Sequence, residues 1–446
     1  MSVFAEDVIN FTSVLRLAYN FLSGRGYLKK RKFRDRKKLI SVALPFSDLI
    51  FAAGGVPNFP IRMEKLQINA YLAALNSATN LFGWDLTTKF LGFVRQFDVL
   101  KIIDTVLDDV IDSINLKYNE LYEVGIEQGI PSDFCYGITG LVGMLASKGK
   151  NLDANLNMTI RCSAWNKYAE YVQDLVGRQI LIDIPPRDIG NSKELLMDNI
   201  KDAIRSLEEI TGNVVSDNSL KKQFRIGNQV KRFYKTVLYE ISTSDFYPCN
   251  PATFAEILAL LGLSFQDYNS NAQRYLENMS SLVNEMRERI KKKMGMDVSK
   301  FPRILLTPVF GGWEPETQEI LYELGGRTIY ADWEILKFLE EIDASPSSDP
   351  IEEYANYIMN ININGLGCDQ EALTDSYIEA AKNLEVDGLV FNQVFGCHSV
   401  SNCYAMLRKK IRTELEIPTT VINFNKIGEN VEQIKTRLGA FMEMFR

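Results

Sequence analysis

Six cysteines and a single histidine set the chemistry open to this chain of 446 residues. With His398 alone, a serine nucleophile served by its own imidazole, a zinc site of several histidines and the two-histidine facial triad of non-haem iron all drop out. A metal here must rest on thiolates or carboxylates. Three thiols stand where such chemistry is usually found. Cys162 directly follows a predicted strand, Met158 to Arg161, and precedes a helix. Cys397 follows the predicted strand Gly388 to Phe391 by a short loop and also precedes a helix. Cys135 heads the helical segment Tyr136 to Ala146, with Asp133 as its cap. At a helix N-terminus, unpaired N–H groups and the helix dipole favour thiolate over thiol. Those are the surroundings an anionic iron-sulfur cluster needs. The spacing is not that of a compact ferredoxin motif, so the residues alone leave two readings, buried apolar fillers or metal ligands. Cys249, Cys368 and Cys403 lack that context and read as structural, with Cys403 the reserve ligand because it lies close behind Cys397.

Two other motifs fail on inspection. Gly143 to Lys150 approaches a phosphate-binding loop, but its spacing is one residue too long and Asn151 stands where a hydroxyl should ligate magnesium. Gly365-Leu366-Gly367 lacks the third glycine of a dinucleotide fingerprint. ATP and nicotinamide cofactors are therefore disfavoured.

The elements that must carry the thiols alternate between strand and helix. An N-terminal helix, Asp7 to Leu22, leads to a basic run, Lys29 to Lys38, then a strand Leu39 to Leu44 and a short helix closed by Gly54-Gly55. A long helical stretch over about 66–124 places Phe90, Phe93 and Phe97 at helical spacing, as core residues. Strand, helix and strand follow between Asn157 and Ile184, a βαβ unit that predicts a parallel sheet. Asn191 with Glu194 resembles a capping box opening a helical region that continues to about Met294. The last third repeats the alternation, with strands at 304–307, 327–330, 388–391 and 419–423. The expected fold is α/β: two doubly wound parallel-sheet, flavodoxin-like domains joined by a helical segment, with an N-terminal helical extension. The expected borders are 1–38, 39–190 including the helical insertion, 191–298 and 299–446. In such sheets ligands gather beyond the carboxyl ends of the strands.

Composition bounds the rest. Apolar residues at 46% and charged ones at 24% are those of a globular chain, and the length suits more than one core. A net charge of -7 without a basic recognition motif argues against nucleic acid. Apolar stretches such as Leu49 to Val56 and Ala255 to Leu263 fall far short of the ~18 residues that span a bilayer. Glu6 and Asp7 sit where a signal peptide needs positive charge, so a cytoplasmic protein is expected.

Several blocks resemble the subunits of 2-hydroxyacyl-CoA dehydratases and ATP-dependent benzoyl-CoA reductase, of the 2-hydroxyglutaryl-CoA dehydratase D-component type. They are Leu49-Ile50-Phe51-Ala52-Ala53-Gly54-Gly55-Val56-Pro57, then Ser132-Asp133-Phe134-Cys135 leading into Gly137 and Gly140, and Cys162 followed by Trp165, Lys167 and Tyr168. The most specific runs from Val386 through Phe391 and Cys397 to Arg408, Glu414 and Ile417-Pro418, and Thr436-Arg437-Leu438 looks like the family's closing helix. The resemblance implies a [4Fe-4S] cluster held by Cys135, Cys162 and Cys397, with one iron left for another ligand. It also implies a heterodimer with a homologous second subunit, an acyl-CoA substrate, and a separate ATP-hydrolysing iron-sulfur activator supplying a low-potential electron. In the dehydratases that electron makes a ketyl radical anion from the thioester, which expels the hydroxyl; in the reductases electrons enter an aromatic ring. A non-catalytic electron-transfer or cluster-carrying partner subunit is the alternative. Pro60-Ile61-Arg62 departs from the Pro-Glu-Asn of the substrate-binding dehydratase subunit, while Gly325 to Asp332 looks like the smaller, electron-relaying one.

Two features carry double readings. His398 either satisfies its own loop or aims a ring N–H at a cluster sulfide or the thioester oxygen. The basic run is either a solvated lead-in to its strand or a patch for the phosphates of a nucleotide-like handle or an acidic partner.

Overall fold

A computed structural model of the chain describes residues 7, 11–42, 46–59, 77–78, 81–83, 86–87, 89, 101–160, 162–186, 190–361, 369–397, 401 and 403–446. The expectations placed on Phe90, Phe93, Phe97, Cys368 and His398 lie outside them, as does most of the insertion.

The first part runs α1 (Thr12–Leu22), α2 (Gly24–Lys29), a π-type turn (Lys30–Arg34), β1 (Leu39–Val42), α3 (Ser47–Ala52), β2 (Val56–Asn58), α4 (Lys101–Glu127), α5 (Tyr136–Lys148), β3 (Ala154–Thr159), α6 (Ser163–Tyr171) and β4 (Gln179–Asp183). Its strands form one parallel sheet in the order β2-β1-β3-β4, with Ile40 opposite Ala154 and Leu156 opposite Ile180. β1 is buried along its whole length, as a central strand of a parallel sheet must be. β2 has no counterpart in the periodicity, because a three-residue strand with proline in the middle carries no alternation. Pro57 is tolerated since β2 is an edge strand and needs its N–H on one side only.

A helical layer follows: α7 (Ser192–Thr211), α8 (Asp217–Thr236), the short β5 (Phe246–Tyr247), α9 (Pro251–Ser264), α10 (Ala272–Lys291) and β6 (Met296–Asp297), with β5 and β6 antiparallel. The Asn191 side chain makes no cap bond, which corrects the capping box expected there. The reciprocal box belongs to α8 instead, between Ser216 and Ser219, where serine replaces the usual acidic partner. Asn250 caps α9, accepting from Ala252 N–H at 2.8 Å, with Pro251 at the first turn where a missing N–H costs nothing.

The last part contains β7 (Arg303–Thr307), α11 (Thr317–Glu323), β8 (Arg327–Ile329), α12 (Asp332–Ile335), α13 (Pro350–Asn360), α14 (Gln370–Asn383), β9 (Gly388–Val394), α15 (Tyr404–Glu414), β10 (Thr419–Phe424) and α16 (Val431–Met442). A second parallel sheet has the order β10-β9-β7-β8. The chain is thus α/β with two separate parallel sheets. One apolar cluster, from Phe11 to Met442, draws on both sheets and on the helices between them, and a smaller one centres on α5 and α6.

The basic run lies at the amino ends of the first sheet. Lys32 reaches Asp153 at 3.3 Å and Lys38 reaches it at 3.7 Å, while the same carboxylate accepts the Leu39 N–H at 2.8 Å. Arg31 pairs with Asp35 at 2.8 Å. Among the described residues no helix is long and apolar enough to cross a membrane.

Candidate functional site

Four loops that leave the carboxyl ends of strands converge on one cavity of about 360 Å³. β3 delivers Cys162, β7 delivers Val309 to Gly312, β8 delivers Tyr330 and Asp332, and β9 delivers Gly396 and Cys397. Cys135 arrives from the turn between α4 and α5. A parallel sheet sends all its strand ends one way, so two such sheets with facing ends enclose a pocket.

Each thiol is held by its local structure. Cys135 occupies the N-cap position of α5, where the sequence suggested Asp133, and Cys162 occupies that of α6. The turn carrying Cys162 is fixed by the Ile160 N–H donating to Asn166 Oδ1 at 3.0 Å, and Trp165 beside it donates its indole N–H to Asn157 Oδ1 at 2.9 Å. The Cys135 sulfur is buried and lies 3.7 Å from Gly311 O. A hydrogen bond from Cys397 brings its thiol down to about 7 from the ordinary 9.0; the Ile138 and Gly137 N–H groups lower it too, against the upward push of burial.

Glycines allow this seam to close. Gly396 has φ +74°, and a Cβ there would lie 2.4 Å from Asp133 O, so only glycine lets the Cys397 loop rest on the Cys135 turn. Gly312, at φ +121°, meets the Phe424 and Tyr136 rings where a Cβ would be. The Gly137 N–H donates to Gly311 O at 3.0 Å, tying α5 to the loop after β7. Buried Asp332 braces that loop, accepting from Thr307 Oγ1 at 2.8 Å and from the Val309 and Phe310 N–H groups. Burial pushes its carboxyl up to about 6 despite those donors.

The cavity lining also carries a second polar chain. Glu256, on α9, accepts from the Gln318 amide N–H, and the Gln318 carbonyl accepts from the Tyr330 hydroxyl. Burial, reinforced by the Glu319 charge, pushes the Glu256 carboxyl up to about 8, against the Gln318 bond. The remaining lining is largely aliphatic or aromatic, including Trp165, Trp313 and Trp333.

Cys135, Cys162 and Cys397 therefore share one cavity, to which Cys249 and Cys403 do not contribute. Burial raises both of those thiols, Cys403 to about 11. His398 lies outside the described residues. The donor chemistry suits a cluster: three thiols, two of them hydrogen-bonded, with helix-start N–H groups at the sulfur. They are not gathered into a ligand set, since among the described residues no group of three or more His, Cys, Asp or Glu side chains could hold a metal ion. Sequence reasoning missed Glu256 and Gln318. The available signal was one acid inside the otherwise apolar α9.

No curated protein matches the sequence closely enough to count as a relative. A family model described as 2-hydroxyglutaryl-CoA dehydratase, D-component, matches residues 49–445, a span that takes in the second sheet, all of the first except β1, and all three cavity thiols. The chain belongs to the 2-hydroxyglutaryl-CoA dehydratase D-component family.

Proposed function

We propose that this chain is the iron-sulfur subunit of an oxygen-sensitive cytoplasmic acyl-CoA enzyme, of the 2-hydroxyacyl-CoA dehydratase or benzoyl-CoA reductase type. Its [4Fe-4S] cluster is held by Cys135, Cys162 and Cys397, it pairs with a homologous second subunit, and a separate ATP-hydrolysing activator supplies low-potential electrons. The observation that carries this reading is the convergence of the three thiols, from turns of both halves of the chain, on one cavity. When bound, such a cluster supplies one-electron reduction of the ligand beside it. The chain's own groups do the rest. Gly137 and Ile138 N–H groups stabilise thiolate at Cys135, Asp332 fixes the loop opposite it, and the tryptophan-rich wall keeps water from the reacting atoms. A cavity next to the thiols favours a substrate-handling subunit over one that only relays electrons, which would keep its cluster sealed.

Anaerobically purified protein is expected to hold about four irons per chain, as one cubane requires. Changing Cys135, Cys162 or Cys397 to Ser should remove most of that iron, while Cys249→Ser should leave it. Equal iron in all four variants would overturn the assignment.

A further inference from the structure

Residues 25–38 hold nine lysines and arginines and a single acid, Asp35. That segment carries a net charge of +8, so with -7 for the whole chain the remainder carries -15. It forms α2, the π-type turn and the lead-in to β1, at the amino ends of the first sheet. Two acids answer four of these cations: Arg31 and Arg34 share Asp35, and Lys32 and Lys38 share Asp153. Arg25, Lys29, Lys30, Arg36 and Lys37 make no ion pair among the described residues. Exposed apolar side chains accompany them. Phe33, in the π-type turn, is 73% exposed between Lys32 and Arg34. Val214, in the turn from α7 to α8, is 84% exposed and stands on the same edge. Asn213 beside it donates to Ala53 O at 3.0 Å, and Lys37 donates to the next carbonyl, Gly54 O, at 3.3 Å.

A run of charge that is only solvated leaves its apolar neighbours no reason to be exposed, whereas here they flank the unpaired cations. That combination suits an anionic bilayer, where ammonium and guanidinium groups meet headgroup phosphates and apolar side chains enter the interface. A protein partner fits less well, because the core of a protein interface is depleted in lysine and five of these nine cations are lysines. Single-stranded nucleic acid stacks on several aromatic rings along a groove, and Phe33 is the one exposed aromatic of this segment. We propose that the amino end of the first sheet docks the chain on a membrane of anionic phospholipid, with Phe33 and Val214 as its apolar anchors. None of residues 25–38 lines the cavity, so a docked chain keeps the three thiols clear of the bilayer.

The test sediments the full chain, purified anaerobically, with vesicles of phosphatidylcholine alone and with vesicles of equal parts phosphatidylcholine and phosphatidylglycerol. At low salt, binding to the anionic vesicles should be at least about a hundredfold tighter, and high salt should abolish the margin. Replacing Lys29, Lys30 and Arg36 together by Glu should cost at least about a hundredfold. The same charge change at Arg408, Lys409 and Arg412, exposed on α15, should alter binding by no more than about threefold. Phe33→Ser should weaken binding about fivefold or more, and Phe33→Trp should retain it. Equal binding to both vesicles, binding to neither, or undiminished binding by the Lys29, Lys30 and Arg36 variant with native circular dichroism would each overturn the proposal. Tighter binding to polyglutamate or to RNA than to the anionic vesicles would overturn it too and reassign this end to an acidic protein or a nucleic acid.

Discussion

The Glu256 carboxyl keeps its proton to about pH 8, whereas its ordinary value is 4.5. Between those values the folded chain binds a proton that the unfolded chain has released. Stability therefore falls as pH rises from 4.5 towards 8 and levels off above. Glu256→Gln has no such proton to lose. In urea unfolding the variant should gain on the wild-type chain steadily from about pH 5 to about pH 8, and then no further. A constant offset across that range would mean that the carboxyl titrates normally. Asp332 offers a second test, because Asp332→Ala leaves the Val309 and Phe310 N–H groups and the Thr307 hydroxyl without their acceptor. Each such group costs about 1–3 kcal/mol when buried. The expected result is a loss of several kcal/mol, together with faster hydrogen exchange at the Val309 and Phe310 amides. At this scale the three thiols could be picked out from sequence, since a cysteine just ahead of a predicted helix is a local pattern. Glu256 could not be assigned a role, because its proton depends on α11 and β8 folding against it.

At the scale of elements, the seam between the two halves hangs on glycines. Gly396→Ala would drive a Cβ to 2.4 Å from Asp133 O at a positive φ, so the loop must lift and carry Cys397 away from Cys135. A loss of about 2 kcal/mol or more and a lowered iron content are expected. Gly439→Ala, with open space around it inside α16, should instead be neutral or stabilise by up to about 1 kcal/mol. Equal effects from the two would refute the packing argument. Removing the α8 cap by Ser216→Ala should cost about 1 kcal/mol, read from the shift in urea midpoint. Strands β1, β3, β4, β7, β8, β9 and β10 all have counterparts in the sequence pattern, offset at their ends, because a buried parallel strand is a local apolar run. β2 does not, and the cap at Asn191 fails for a related reason: capping depends on a side-chain rotamer that the presence of asparagine does not dictate.

For the whole molecule, the main apolar cluster runs without a break from Phe11 to Met442 through both sheets. Elements that share one core unfold together. With Trp84 replaced by Phe so that tryptophan fluorescence reports on Trp165, Trp313 and Trp333 around the cavity, that signal and far-ultraviolet circular dichroism should give coincident urea transitions. Two separated transitions would show that the sheets hold independent cores. The basic run belongs to this scale too, for it lies at the amino ends of the first sheet while the cavity lies beyond the carboxyl ends.

Local chemistry made part of this protein readable from its sequence. Apolar periodicity gave the alternation of strands and helices, residue types at helix starts gave the three thiols, and ordered blocks gave the family. The tertiary structure alone decided which groups meet. Cys135 and Cys397 come into contact because Gly396 permits a backbone approach that any side chain would block. Glu256 holds a proton because helices distant in sequence remove its water. Periodicity and motif spacing act over a few residues, whereas contact and desolvation arise between segments that only the folded chain brings together.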